Sequence, residues 1–141
     1  EDHLHLTWVF LGEVKEAEPV IERLSGITPL ESEVGVAELG YFGRPPKIFF
    51  AKAEEKILYY KAREFKATGF DMYRFKPHIT LCHIKTIHNY KAYKEILNHY
   101  QDKILGSVLP QISLYQSTLN EKGPLYKCIF DIEKPIKNTD F

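Results

Sequence analysis

The tripeptide His-apolar-Thr occurs twice in this chain, each time inside a run suited to a β-strand: His5-Leu6-Thr7 in L-H-L-T-W and His78-Ile79-Thr80 in K-P-H-I-T-L. Side chains alternate across a strand, so His5 and Thr7 share one face while Leu4, Leu6 and Trp8 share the other. The second run repeats this, with Ile79 and Leu81 opposite His78 and Thr80. A fold that accepts both runs must bury two apolar stripes and leave an imidazole and a hydroxyl on each opposite face.

With six histidines and about twelve Ser and Thr, roughly half an H-x-[Ser/Thr] tripeptide is expected by chance. Context raises the two above that background: both have an apolar middle residue, both open alternating apolar runs, and each is similarly placed in its half of the chain. A lone strand histidine beside a threonine is ordinarily a satisfied, partly buried polar pair. Two such pairs on strands lying side by side would instead bring four polar groups to one cleft.

The chain's 141 residues suit one domain, and 44% apolar with 27% charged is a globular composition able to bury a core. Its 19 basic and 19 acidic side chains cancel to a net charge of +0, which excludes holding a long duplex by a global basic field. Any nucleic-acid contact must be local. Cys82 and Cys128 lack C-x-x-C spacing, which argues against a metal knuckle or a disulfide scaffold; both are expected to be reduced core residues of a cytoplasmic protein. No apolar run approaches the ~20 residues needed to span a bilayer, and no basic-then-apolar signal opens the chain. The sequence begins at Glu1, almost at once inside a strand, so a further segment is expected upstream.

In order, His3–Leu11 reads as a strand closed by Gly12, and Lys15–Leu24 as a helix with Pro19 in its first turn. Glu33–Leu39 and Lys47–Ala53 read as a strand pair around the G-R-P-P loop. Glu54–Thr68 reads as a helix with Ile57, Leu58, Ala62 and Phe65 on one side, followed by the second H-x-T strand, ending near Ile84. Asn89–Gln101 carries Tyr90, Tyr93, Leu97 and Tyr100 at helical spacing, a packing face rather than a base-stacking stripe. Pro110–Leu119 and Leu125–Ile132 read as a hairpin around N-E-K-G-P, and Glu133–Phe141 as a loose polar tail. Interspersed helices and hairpin-paired strands point to α+β with antiparallel sheets.

Imidazole, with a reference pKa of ~6.5, serves as base or acid near neutral pH. Two imidazoles on opposite sides of a phosphate are what in-line opening of a cyclic phosphodiester needs: one takes a proton from water and the other gives one to the leaving alkoxide. Threonine hydroxyls between them could donate to the non-bridging oxygens as charge builds there. The scheme requires no metal or other cofactor, and no H-E-x-x-H or carboxylate at ligand spacing accompanies either motif.

Three stretches, H-L-T-W-V-F-L-G-E-V (His5–Val14), K-P-H-I-T-L (Lys76–Leu81) and S-T-L-N-E-K-G-P-L-Y (Ser117–Tyr126), together resemble the 2H phosphoesterase superfamily. Within it they are most similar to the bacterial and archaeal RNA 2′,3′-cyclic phosphodiesterases, also called 2′-5′ RNA ligases. The resemblance runs from Leu4 to about Ile132. It implies one bilobal α+β domain with two pseudo-symmetric antiparallel sheets flanked by helices, a central cleft and one H-x-T per lobe. It also implies opening of a 2′,3′-cyclic phosphate at an RNA 3′ end to a 2′-phosphomonoester, and in some members reversible 2′-5′ joining of tRNA halves. His5 and His78 would be catalytic, with His5 protonating the leaving 3′ oxygen and His78 activating water. Thr7 and Thr80 would hold the phosphate, with no cofactor, in a cytoplasmic monomer without membrane contact.

The chain departs from that pattern in two places. Members usually carry a strand and a helix before the first H-x-T, which this sequence does not. They also often have Arg three residues after the second Thr, where this chain has His83; a protonated His83 could partly replace it, although alternation turns position 83 away from Thr80. Arg44 in the G-R-P-P loop and Tyr126 are further possible substrate contacts, with Tyr41 and Phe42 as stacking candidates. His3-Leu4-His5-Leu6-Thr7 also touches the pattern of histidine-triad hydrolases, but its third His is replaced by Thr7 and the second copy would go unexplained. Two alternatives stay open: a 2H phosphoesterase acting on a small cyclic nucleotide or cyclic-phosphate metabolite, and a non-catalytic module that binds RNA ends.

Overall fold

The computed structural model describes residues 4–53 and 55–133. Helix α1 (Glu18–Leu24) buries Val20 and Leu24, and it starts three residues later than Lys15. Proline explains the late start: Pro19 has no N–H to donate, so it fits only the first helical turn. Strands β1 (Val34–Phe42) and β2 (Ile48–Lys52) form the expected antiparallel pair. Helix α2 (Lys56–Ala67) buries Leu58, Ala62 and Phe65, a spacing of four and three, whereas Ile57 lies outside that stripe and is exposed.

Strand β3 (His78–His83) joins the free edge of β2, and β4 (Ile104–Val108) joins the other edge of β1, giving an antiparallel sheet ordered β3-β2-β1-β4. β4 has no counterpart in the sequence reading: I-L-G-S-V is short, carries Gly and Ser, and is mostly exposed, so neither alternation nor propensity marks it. Between β3 and β4 runs α3 (Tyr90–His99), where the Asn89 side chain accepts the Ala92 N–H at 3.0 Å as an N-cap. Its packing face is thinner than its periodicity suggests. Tyr93 and Leu97 are half-buried, Tyr90 and Tyr100 are exposed, and the Tyr93 hydroxyl is buried without a hydrogen-bond partner.

Strands β5 (Ser113–Asn120) and β6 (Gly123–Asp131) form a two-stranded antiparallel sheet around the two-residue loop Glu121–Lys122. Lys122 N–H donates to Asn120 Oδ1 at 2.8 Å, and Gly123 takes the positive φ of 111° that the tight turn demands. The architecture is α+β with two antiparallel sheets, as expected, but the sheets are unequal, four strands against two.

The expected first strand, His3–Leu11, does not form among its described residues. Leu6 makes one isolated antiparallel bridge to Ile79, and the chain then leaves the ladder. Aromatic packing wins over further pairing: the Trp8 ring stacks on Phe65 at 5.2 Å and on Phe75 at 5.3 Å. Trp8 thereby touches both core clusters, one built on Val20, Leu24, Phe65 and Ile112, the other on Val36, Ala51, Ala53 and Leu58.

Cys82 and Cys128 are free but exposed, which corrects their reading as core residues. Cys82 lies near the end of the edge strand β3 and Cys128 on the two-stranded β5–β6 hairpin, and both stay open to solvent. Of the expected loose tail, residues 134–141 lie outside the described residues.

Candidate active site

The Leu6–Ile79 bridge pairs the middle residues of the two H-x-T tripeptides. Directly opposed residues in an antiparallel pair point to the same face, and both Leu6 and Ile79 pack against the Val36–Leu58 core. The bridge brings the backbone of His5 and Thr7 alongside β3, level with Thr80 and His78 respectively. Each histidine register position lies opposite the threonine of the other motif. His5 and Thr7 are exposed; His78 and Thr80 are half-buried.

His78 is the more constructed of the two. It opens β3 opposite Lys52, while Thr80 lies opposite Phe50. Its ring meets the Phe42 ring edge-on at 5.1 Å and the Phe50 ring at 5.3 Å, and those two rings are themselves 4.3 Å apart. The Nδ1 atom lies 2.6 Å from the Lys76 carbonyl oxygen. A carbonyl only accepts, so Nδ1 carries the hydrogen and Nε2 is left to exchange a proton. Gly40, opposite Phe50, makes this niche possible: a Cβ there would lie 2.8 Å from the Phe50 ring.

A bulge changes the expectation for His83. The β2–β3 register slips between Phe49 and Phe50, so Thr80 opposes Phe50 but His83 opposes Ile48. Ile48 and Phe50 share a face of β2, and His83 therefore occupies a position on the Thr80 face, not the opposite one. The extra residue, Leu81, is what simple alternation could not anticipate. Arg44 is exposed in the turn between β1 and β2, and Tyr126 is exposed on β6 opposite Ser117. Neither belongs to the sheet face that carries His78.

Beside His78 lies an open depression of about 380 Å³, lined among others by Gly40, Phe42, Phe50, Lys52, Lys76 and His78. Tyr41 and Phe42, the stacking candidates of the sequence, line it; Phe50 and the two cations, Lys52 and Lys76, were not singled out there. The alternation of Phe50 and Lys52 in K-I-F-F-A-K-A is the signal that puts them on one face.

No family model matches the chain. It is 32% identical, over 94% of its length and 83% of the relative's, to the RNA 2′,3′-cyclic phosphodiesterase of Aeropyrum pernix. The chain belongs to the RNA 2′,3′-cyclic phosphodiesterase family. A second member, from Methanocaldococcus jannaschii, is 29% identical over 92% of the chain and 79% of its own length. Among solved structures, a Thermus thermophilus protein superposes with a TM-score of 0.68 at 26% identity, over 92% of the chain and 76% of that protein. Escherichia coli LigT, crystallised with 3′-AMP, superposes with a TM-score of 0.65 at 22% identity over 92% of the chain and 75% of its own, a likeness of fold. The family thus matches the 2H phosphoesterase resemblance carried by the two H-x-T tripeptides.

Proposed function

We propose that this chain opens 2′,3′-cyclic phosphates at RNA 3′ ends to 2′-phosphomonoesters, with His5 and His78 as acid and base. The observation that carries the reading is the Leu6–Ile79 bridge, which sets the two H-x-T segments antiparallel and in mutual register. Membership of a family whose relatives are named for this reaction supports it.

In the proposed step His78 Nε2 takes a proton from water. The water oxygen bonds to phosphorus as the P–O3′ bond breaks, and His5 protonates the departing 3′ oxygen. Thr7 and Thr80 donate to the non-bridging oxygens, where charge grows in the transition state. The hydrogen bond from Nδ1 to the Lys76 carbonyl holds the His78 tautomer that a base requires. His83, on the Thr80 face, is a further phosphate contact, while Arg44 and Tyr126 would touch more distant parts of the RNA. A 5′-hydroxyl in place of water would give a 2′-5′ linkage by the same proton traffic, so joining of tRNA halves is included in the proposal. The protein would work as a monomer. Its two free, exposed thiols suit a reducing cytoplasm, and among the described residues no helix is long and apolar enough to cross a membrane.

The test is hydrolysis of an RNA oligomer ending in a 2′,3′-cyclic phosphate, in EDTA, with the 2′- and 3′-phosphate products resolved. Turnover to the 2′-phosphate should fall by about 10²–10⁴-fold in His5→Ala and again in His78→Ala. Turnover confined to small cyclic nucleotides would move the substrate assignment. Binding of RNA ends without any turnover would leave a recognition module.

A further inference from the structure

Lys52 is the charged residue nearest in register to His78 that the proposed chemistry does not use. It stands directly opposite His78 in the β2–β3 ladder, so the two Cβ atoms are ~5 Å apart on one face. Across that face the order is β1, β2, β3 and then the His5 segment. A phosphate between the two imidazoles lies on the β3 side of Lys52's strand, away from it. Lys52 therefore flanks the reacting phosphate. It faces what is attached to it, and together with Lys76 it lines the depression beside His78.

Lys52 is held there. Its Nζ lies 3.4 Å from Glu38 Oε2, with both side chains partly exposed. Glu38 has φ 67°, a left-handed conformation that is strained for a non-glycine residue, at the bulge where the β1–β2 register slips between Ala37 and Leu39. The bulge aims a carboxylate at the lysine. A partly exposed pair of this kind is weak, so a phosphate offering a charge-assisted bond can displace it.

We infer that Lys52 is a specificity residue that leaves Glu38 to bind the internucleotide phosphate 5′ to the cyclic end, selecting RNA chain ends over mononucleosides. The inference rests on the cyclic-phosphate reading and deepens it. In a chain of net charge +0, this local cation supplies a chain-following contact that a global field cannot.

The experiment compares Lys52→Met and Glu38→Gln with wild type on a trinucleotide and on a mononucleoside, each ending in a 2′,3′-cyclic phosphate. The trinucleotide-to-mononucleoside ratio of kcat/KM should fall about five- to tenfold in Lys52→Met, mostly through KM, and its salt dependence should flatten by about 0.7 in log–log slope. Glu38→Gln, which frees the lysine, should raise the ratio about two- to fivefold. The same ratios are read by fluorescence anisotropy with labelled 2′-phosphate products. If wild type turns over neither substrate, the catalytic reading fails while the binding ratio still decides the role of Lys52. An unchanged ratio in Lys52→Met, by turnover and by binding, overturns the inference.

Discussion

The two halves of this molecule hold the same tripeptide in different ways. His78-Ile79-Thr80 lies in a four-stranded sheet, with two neighbouring aromatic rings packed against its histidine and a carbonyl fixing its tautomer. His5-Leu6-Thr7 lies in no strand; one bridge and the neighbouring Trp8 secure it. The remaining sheet, β5–β6, is a hairpin whose Tyr115, Leu119, Leu125 and Tyr126 are exposed. Register is thus set by the well-built half, and the other motif is positioned against it. Sequence similarity between two motifs does not imply equal construction.

The strongest way to break that contrast is Trp8→Ala. The indole is the contact shared by the two cores, and Trp-to-Ala changes at packed sites cost about 3–5 kcal/mol. Trp8 is half-buried, so a loss near the lower end, about 3 kcal/mol, is expected in urea unfolding. Activity should fall beyond what that stability loss explains, because the His5 segment loses its anchor. A loss well below 1 kcal/mol would mean that something other than Trp8 holds the segment.

A smaller effect should come from the other half. Gly40→Ala places a Cβ 2.8 Å from the Phe50 ring, and overpacking of this kind costs about 1–3 kcal/mol. The Phe50 ring would have to move against His78, so the imidazole resonances of His78 should shift while those of His5 stay. Gly35→Ala on the same strand is the control, since a Cβ there meets nothing within 4 Å. Equal responses from both variants would show that the niche around His78 is loose.

The elements the sequence disclosed are those whose side chains carry the pattern themselves. The stripe Leu58, Ala62 and Phe65 predicted α2, and Asn120 with Gly123 predicted the hairpin turn. What stayed hidden depended on partners. β4 exists because β1 has an edge to fill, the N-terminal strand is missing because the Trp8 ring takes a better packing site, and His83 changes face because of a bulge in a ladder shared with β2. The same limit applied to the site. Alternation within each tripeptide was legible, but only the pairing of Leu6 with Ile79 placed the two side by side, and only the β2 register put Lys52 next to His78.

The smallest expected effect lies in the hairpin half, and it is a matter of pH. Ser113 Oγ donates to Asp131 Oδ1, and the Cys128 thiol lies 3.3 Å from the same oxygen. The Ser113 hydroxyl, helped by the thiol, holds the Asp131 carboxyl below its ordinary value of 3.8. A carboxyl lowered in the folded state binds its proton less readily there than in the unfolded chain. Its stabilisation is therefore complete above the unfolded value and disappears as pH falls through the folded one. Ser113→Ala should lower the melting temperature slightly at pH 7 and progressively less below about pH 4, with no difference once the carboxyl is protonated in both states. The carboxyl is solvent-exposed, so the difference at pH 7 should also shrink with added salt. A deficit that persisted unchanged at low pH would assign Ser113 a packing role and leave the β5–β6 sheet held by its ladder alone.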